Sequence, residues 1–296
     1  MVLDGNSIVN RAFYGIRLLT NKDGIYTNAI YGFLNIMFKY IDEEKPTHLC
    51  VAFDVHAPTF RHKSYSEYKA QRKGMPDELK QQMPVLKEVL SAMNIKMYEI
   101  AGYEADDIIG TVSEICGREN VRCVILTGDK DDLQLASKNT TVKLITTRGG
   151  NTETTDFDDL EVFNKYGVTP SEFIDVKGLM GDSSDNIPGV SGIGEKTALN
   201  LIKTFHSIEN LYQNIENEKI SKSVKNKLLN DKQSAFDSKF LTTIVCNVPI
   251  EFSVDDCLVK DYDEQRLLSL FTELNFSAFI KRFGLKKNAE SVKLLN

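Results

Sequence analysis

No stretch of about 18 consecutive apolar residues occurs in the chain, and its start, MVLDGNS, has neither the basic nor the apolar segment of a secretory leader. A membrane span and a secretory route are therefore not expected, and a cytoplasmic protein is. Cysteine is sparse. Cys50, Cys116, Cys123, Cys246 and Cys257 form an odd set without a CxxC pair, so reduced thiols fit better than a disulfide framework. Four histidines, His48, His56, His62 and His206, are scattered and have no evident metal or nucleophile partner. No internal repeat or low-complexity stretch is present. An excess of positive charge is also missing: the formal net charge is −6, which argues against a nonspecific polyanion binder.

What is present is an ordinary globular composition: 42% hydrophobic and 26% charged residues, with 18 Gly and 7 Pro in 296 residues. At about 100–200 residues per domain, that length allows one large or two modest domains. The average charge hides a basic segment. Arg61, Lys63, Lys69, Arg72 and Lys73 stand against Glu67 alone.

The first half alternates β-like runs (Val2-Leu3, Leu49 to Phe53, Cys123 to Leu126, Val142 to Ile145) with amphipathic helical stretches. Ile30, Phe33, Leu34, Met37, Phe38 and Ile41 keep the 3.6-residue period of a buried helix face. This pattern predicts an α/β fold with a parallel sheet covered by helices. From about Phe157 helical segments take over, including Pro170 to Met180, Glu195 to Phe205 and Glu264 to Leu274. The polar tail from Lys286 reads as a frayed end or the start of a linker.

Three β-like runs end in an acid: Asp4, Asp54 and Asp129. In an open parallel sheet the carboxyl ends of the strands line the ligand crevice, so three separate segments deliver carboxylates to one place. Glu104, Asp106 and Asp107 in GYEADD, Asp131, and Asp182 with Asp185 in GDSSDN add to them. On a helix, the i, i+3 spacing puts Glu104 with Asp107, and Asp182 with Asp185, on one face, while Asp106 points away. A lone Asp at a strand end or helix start is more often a cap. Joint placement is harder to explain that way, because like charges ~4 Å apart repel by about 4 kcal/mol at an effective dielectric near 20. An all-oxygen set of this kind calls for hard cations, Mg²⁺ or Mn²⁺, and two-metal sites characteristically serve phosphodiester hydrolysis.

The motifs DGNSIVNRAF, FDVHAPTFRHKSYSEYKAQR, GYEADD, TGDKDDLQL and LMGDSSDNIPGVSGIGEKTA follow one another in an order that makes the chain resemble the 5'-nuclease (flap endonuclease) family, most closely the 5'-3' exonuclease domain of bacterial DNA polymerase I. The resemblance covers nearly the whole chain. It implies a Rossmann-like (PIN-like), mainly parallel sheet flanked by helices in residues 1–165, with a helical arch at about 60–85. Residues 166–296 would form a helical DNA-binding region with a helix-hairpin-helix element at about 178–205.

By the same resemblance, Asp4, Asp54, Glu104, Asp106, Asp107 and Asp129 match a first metal cluster. Asp131, Asp182 and Asp185 match a second, with Asp129 near both. Arg11 matches an arginine near the scissile phosphate, and Lys69 and Arg72 a basic pair at the base of the arch. Arg61, Tyr65, Tyr68 and Lys73 are candidate DNA contacts, the tyrosines suiting unstacked bases, although a basic run is more often a solvated helix. Gly189, Gly192, Gly194 and Lys196 would meet DNA phosphates at the hairpin, where the family also holds a K⁺ ion.

The implied activity is 5'-3' exonuclease and flap endonuclease cleavage by two metal ions at 5' flaps, nicks and overhangs, including RNA primers in hybrids, by a monomer in replication and repair. The chain carries no polymerase motifs, which implies either a fragment of a longer polymerase or a stand-alone nuclease. A catalytically weak DNA-binding module and a ribonuclease on the same sheet are the rival readings. The first would lack metal acids, and the second would not be expected to carry the arch and glycine hairpin.

Overall fold

In the computed structural model, residues 1–148 and 151–286 are described; beyond Lys286 the polar tail lies outside them. The strands are β1 (Val2–Asp4), β2 (Cys50–Ala52), β3 (Lys96–Tyr98), β4 (Cys123–Thr127), β5 (Thr140–Arg148) and β6 (Asn151–Phe157). They form one six-stranded sheet in the order β3-β2-β1-β4-β5-β6, parallel except for the β5–β6 pair. Leu3 of β1 is in register with Val51 on one side and Leu126 on the other. The chain reverses its winding at β1, which is where such sheets open a crevice at their carboxyl edge.

Alternation along the strands builds two cores. Leu3, Val51, Phe53, Leu126 and Ile145 face the helices Gly5–Gly15, Asn28–Glu44 and Gln82–Ala92. Val2, Cys50, Ile125, Val142 and Leu144 face the helix Ala105–Arg118 and the C-terminal helical layer. The expected stripe on Asn28–Glu44 is the buried one: Ile30, Phe33, Leu34 and Met37 are fully covered. Each such side chain contributes about 1.5–3 kcal/mol relative to exposure. All five cysteines are free.

The structure adds two strands that the sequence reading did not assign and corrects two expectations. β3 and β6 carry no apolar run: KMY is three residues long, and NTETTDF is a polar edge strand held in place by its long antiparallel pairing with β5. The segment at 60–85 is not one helical arch. Short helices Phe60–Ser64 and Asp77–Lys80 flank a run of turns in which Lys69 takes φ 55° and Gly74 and Pro76 interrupt the helix. The last helices, Glu264–Glu273 and Ser277–Arg282, do not join the second region. Their Leu267, Phe271, Phe276 and Phe279 pack into the core that contains Phe33, Phe38 and Leu86.

Candidate active site

A pocket of about 250 Å³ opens at the carboxyl edge of the sheet, walled by Asp4, Asp54, Glu104, Asp106, Asp129, Asp131 and Asp185, with Asn6, Ser7, Asn10, Lys69 and Arg72. Asp4 ends β1 and caps the helix Gly5–Gly15, accepting from Ser7 N at 2.9 Å and from Thr127 Oγ1 at 3.0 Å. Asp54 follows β2 and accepts from Ala105 N at 2.7 Å, at the start of the next helix. Asp129 follows β4 and accepts from Asp131 N at 2.9 Å. Three strand ends thus deliver carboxylates to one place.

The GYEADD segment behaves differently from the helical-face expectation. Glu104 is the extended N-cap (φ −102°, ψ 164°), so the helix begins only at Ala105 and helical spacing does not apply from Glu104. Asp106 therefore faces the pocket, and Asp107 turns inward and is fully buried. Arg61 Nη1 and Nη2 donate to Asp107 at 2.7 and 2.8 Å, and Glu104 N and Val245 N donate to it at 3.0 and 2.9 Å. A carboxylate offers about four lone-pair sites, and all are taken. Asp107 is thus removed from the metal set.

Arg61 is corrected with it. It is 2% exposed and also donates to Leu241 O and Thr243 O at 2.8 and 2.7 Å, which ties three segments together rather than contacting DNA. Its pKa is raised: burial opposes the charge, but Asp107 outweighs it.

At the pocket mouth the acids meet bases. Lys69 Nζ lies 2.9 Å from Glu104 and 3.6 Å from Asp185, Arg72 bonds Asp185, and Lys69 N donates to Asp185 O at 2.9 Å. That bond holds Lys69 in the left-handed region, at a cost of about 1–2 kcal/mol. Lys177, not singled out in the sequence, lies 2.7 Å from Asp131 and 2.6 Å from Asp182. Burial alone would raise Asp182, yet Lys177 and Ser184 pull it down to about 2.

Tyr68 is 3% exposed and donates to Glu104 at 3.0 Å, so it is no stacking platform for bases. Tyr65 is half-buried beside it, and Lys73 is exposed. Arg11 is not in the pocket wall; its Nη2 donates to Ile145 O at 2.5 Å.

At the back of the pocket no lysine or arginine pairs with the acids among the described residues. Burial, then Asp54 and Asp129, raise Asp4 to about 7 despite the Ser7 and Thr127 bonds. Burial and Asp132 push Asp106 well up. Asp132 was missed in the sequence, although TGDKDDLQL shows a third acid. It is fully buried, and neither carboxylate oxygen has a hydrogen-bond partner. Oxygens of Asp4, Asp106 and Asp132 lie within 4.8 Å of one another. An all-oxygen donor set with orphaned buried atoms fits a hard divalent cation.

The glycine hairpin joins the helices Pro170–Met180 and Glu195–Phe205. Gly189 is corrected here: it is buried, at φ 61°, and a Cβ would lie 2.4 Å from Gly181 N, so it serves close packing and not DNA approach. Gly192 is exposed at φ 73°, and its carbonyl accepts from Lys227 Nζ at 2.9 Å. Gly194 caps the following helix with open space around it, and Lys196 is exposed.

Residues 1–167 match the N-terminal resolvase-like domain of the 5'-3' exonuclease, and residues 168–265 match its C-terminal SAM fold. DNA polymerase I of Bacillus subtilis (strain 168) is 45% identical over 284 residues, covering 96% of this chain and 32% of the relative. DNA polymerase I of Caldicellulosiruptor bescii is 44% identical over 287 residues, covering 97% and 34%. The chain thus spans about a third of the length of the curated relatives it matches. The T5 5'-exonuclease with bound zinc shares the fold at TM-score 0.66 and 20% identity, covering 93% of this chain and 98% of that one. So does the catalytic core of Rad2 in complex with DNA substrate, at TM-score 0.64 and 18% identity, covering 97% and 92%. With both domain matches in sequence and near-complete coverage by relatives of this identity, the chain belongs to the 5'-3' exonuclease family.

Proposed function

We propose that the chain is a divalent-metal-dependent, structure-specific 5' nuclease that removes 5' flaps and trims 5' ends of DNA, RNA primers included. The observation that carries this reading is the pocket in which seven carboxylates from five segments of the chain face Lys69 and Arg72. Asp4, Asp54, Asp106 and Asp129 would hold one Mg²⁺ or Mn²⁺ ion, and Asp131, Asp182 and Asp185 a second. When bound, such ions polarise phosphoryl oxygens and make water more acidic.

The chain's own residues do the positioning. Lys69 and Arg72 already converge on Asp185 at the pocket mouth and can trade that carboxylate for a substrate phosphate. The Arg61–Asp107 pair locks the base of their segment to the helix Ala105–Arg118 and to residues 241–245, so the basic pair is presented on a rigid support. Lys196 and the open backbone at Gly194 suit a grip on duplex phosphates away from the metals. A K⁺ ion at that hairpin would be held by main-chain oxygens, and the Gly192 carbonyl is already taken by the Lys227 ammonium at 2.9 Å, so that oxygen would have to be released first.

Residues 1–165 would then carry the chemistry and the helix-hairpin-helix at about 178–205 the duplex contact. The length of the relatives supports a downstream polymerase domain in the native chain, working in the cytoplasm. Among the described residues no helix is long and apolar enough to cross a membrane.

The test is incubation with end-labelled flap, nicked and single-stranded DNA, with Mg²⁺ and with excess chelator. Cleavage near the 5' junction only with metal is expected. Undiminished cleavage in chelator, or no preference for the flap over the plain single strand, overturns the reading.

A further inference from the structure

Asp132 sits directly after Asp131 in the short 3₁₀ turn Asp131–Leu135 that follows β4, and the resemblance to the 5' nucleases gives it no role. We propose that Asp132 is a metal-holding carboxylate at the back of the pocket, which with Asp4 and Asp106 grips one divalent cation before any nucleic acid arrives. The inference rests on the metal-dependent reading above and deepens it.

The ordinary explanations of a buried Asp do not apply. If Asp132 were a cap, its oxygens would accept backbone amides, and they accept none. In a structural ion pair it would meet a lysine or arginine, yet among the described residues Lys69, Arg72 and Lys177 all go to other acids. The Thr127 hydroxyl is nearby, but its one proton goes to Asp4 at 3.0 Å. As a neutral core acid, Asp132 would donate to an acceptor, and neither oxygen has a partner. What remains within reach is two more carboxylates, with oxygens of all three inside 4.8 Å.

Ligand oxygens around Mg²⁺, at about 2.1 Å from the ion, stand roughly 3 to 4.2 Å apart. Small side-chain rotations therefore suffice to close the set. The three carboxylates arrive from β1, from the first turn of Ala105–Arg118 and from the 3₁₀ turn. Asp4 is held by Ser7 N, and the turn by the bond from Asp131 N to Asp129. The site is built before the cation comes, so binding pays little to order it.

The experiment is calorimetric titration of the whole chain with Mn²⁺ in the absence of DNA, paired with thermal unfolding in chelator and in Mn²⁺, for the parent, Asp132→Asn, Asp132→Leu and Asp129→Asn. Both Asp132 variants should bind Mn²⁺ at least about tenfold more weakly and show a smaller metal-induced rise in Tm. Asp132→Leu should also melt higher than the parent in chelator, because an apolar side chain of similar size replaces a buried carboxyl whose oxygens have no hydrogen-bond partner. If that variant does not fold, the isosteric Asp132→Asn still reports the affinity. Parent-like Mn²⁺ binding in the Asp132 variants, with loss in Asp129→Asn, overturns the role of Asp132 alone. Parent-like binding in Asp129→Asn as well overturns the metal reading beneath it.

Discussion

The back and the mouth of the acid pocket are built from the same residue type and behave in opposite ways. At the back, Asp4, Asp106 and Asp132 are crowded together with no lysine or arginine bonded to them among the described residues, and burial with mutual repulsion raises all three, Asp4 to about 7. At the mouth, Lys69 and Arg72 cover Asp185, and beside it, outside the pocket wall, Lys177 bridges Asp131 to Asp182, which falls to about 2. Asp131, between the two, rises to about 7 because burial and Asp129 outweigh Lys177. One half carries its own counter-ions, and the other has none among the described residues. On the proposed reading, the first ion would enter the uncompensated half, and the cations of the other half would yield or share when a metal or a phosphate arrives.

Asp129 borders both halves, so its replacement should have the largest effect. A metal that stabilises transition-state charge contributes several kcal/mol, and about 4 kcal/mol is roughly a thousandfold in rate. Asp129→Asn should reduce flap cleavage by about that factor while flap binding, read by fluorescence anisotropy, survives. Near-normal turnover would show that the two halves work without a shared ligand.

Next in size come the cations of the mouth. A preorganised donor at a reacting phosphate contributes about 3–4 kcal/mol, so Lys69→Ala should slow single-turnover cleavage by roughly a few hundredfold. Arg72, whose side chain is 49% exposed against 19% for Lys69, is more screened by water and should cost less. Unchanged single-turnover rates with weakened affinity would make both residues binding groups only.

The smallest effect is on stability, and it tests the contrast directly. Asp4 has a folded pKa of about 7 against its ordinary 3.8, so its contribution is fully favourable below about pH 4 and is lost as pH rises through 7. Asp182 has the opposite sign: its contribution is present above about pH 4 and is lost as pH falls towards 2. Metal-free protein should therefore melt at a lower temperature at about pH 8 than at about pH 5, and Mg²⁺ should remove most of that difference. A Tm that climbs over this range in chelator would mean that the back of the pocket is not a repulsive cluster.

Much of this was legible in the residues. The helices Pro170–Met180 and Glu195–Phe205 begin and end where the periodicity and caps put them, because Thr169 caps the first and Gly194 opens the second. The strands that end in Asp4, Asp54 and Asp129 were readable from β-branched runs, since a strand buried on both faces must be apolar throughout. β3 and β6 were not readable: an edge strand is selected by a neighbour's unpaired backbone, which leaves little mark on its own side chains.

What the sequence by itself determined is the alternation of strand and helix, the delivery of carboxylates to one edge of the sheet, and family membership through motifs kept in order. These rest on local periodicity and on residue types, both properties of a linear string. Only the tertiary structure decided which acid does what. Asp106 and Asp107 are adjacent, chemically identical and expected in the same metal cluster, yet only Asp106 faces the pocket, because the helix begins at Ala105 and Asp107 is taken up by Arg61 and two backbone amides. Arg61 is withdrawn from the surface by carbonyls of Leu241 and Thr243, far along the chain. Gly189 is claimed by Gly181 and Ser238, whereas Gly194 is left open. Side-chain direction and the company a charge keeps depend on segments distant in sequence, and burial with pairing, which set the chemistry of each carboxylate, arise only when those segments meet.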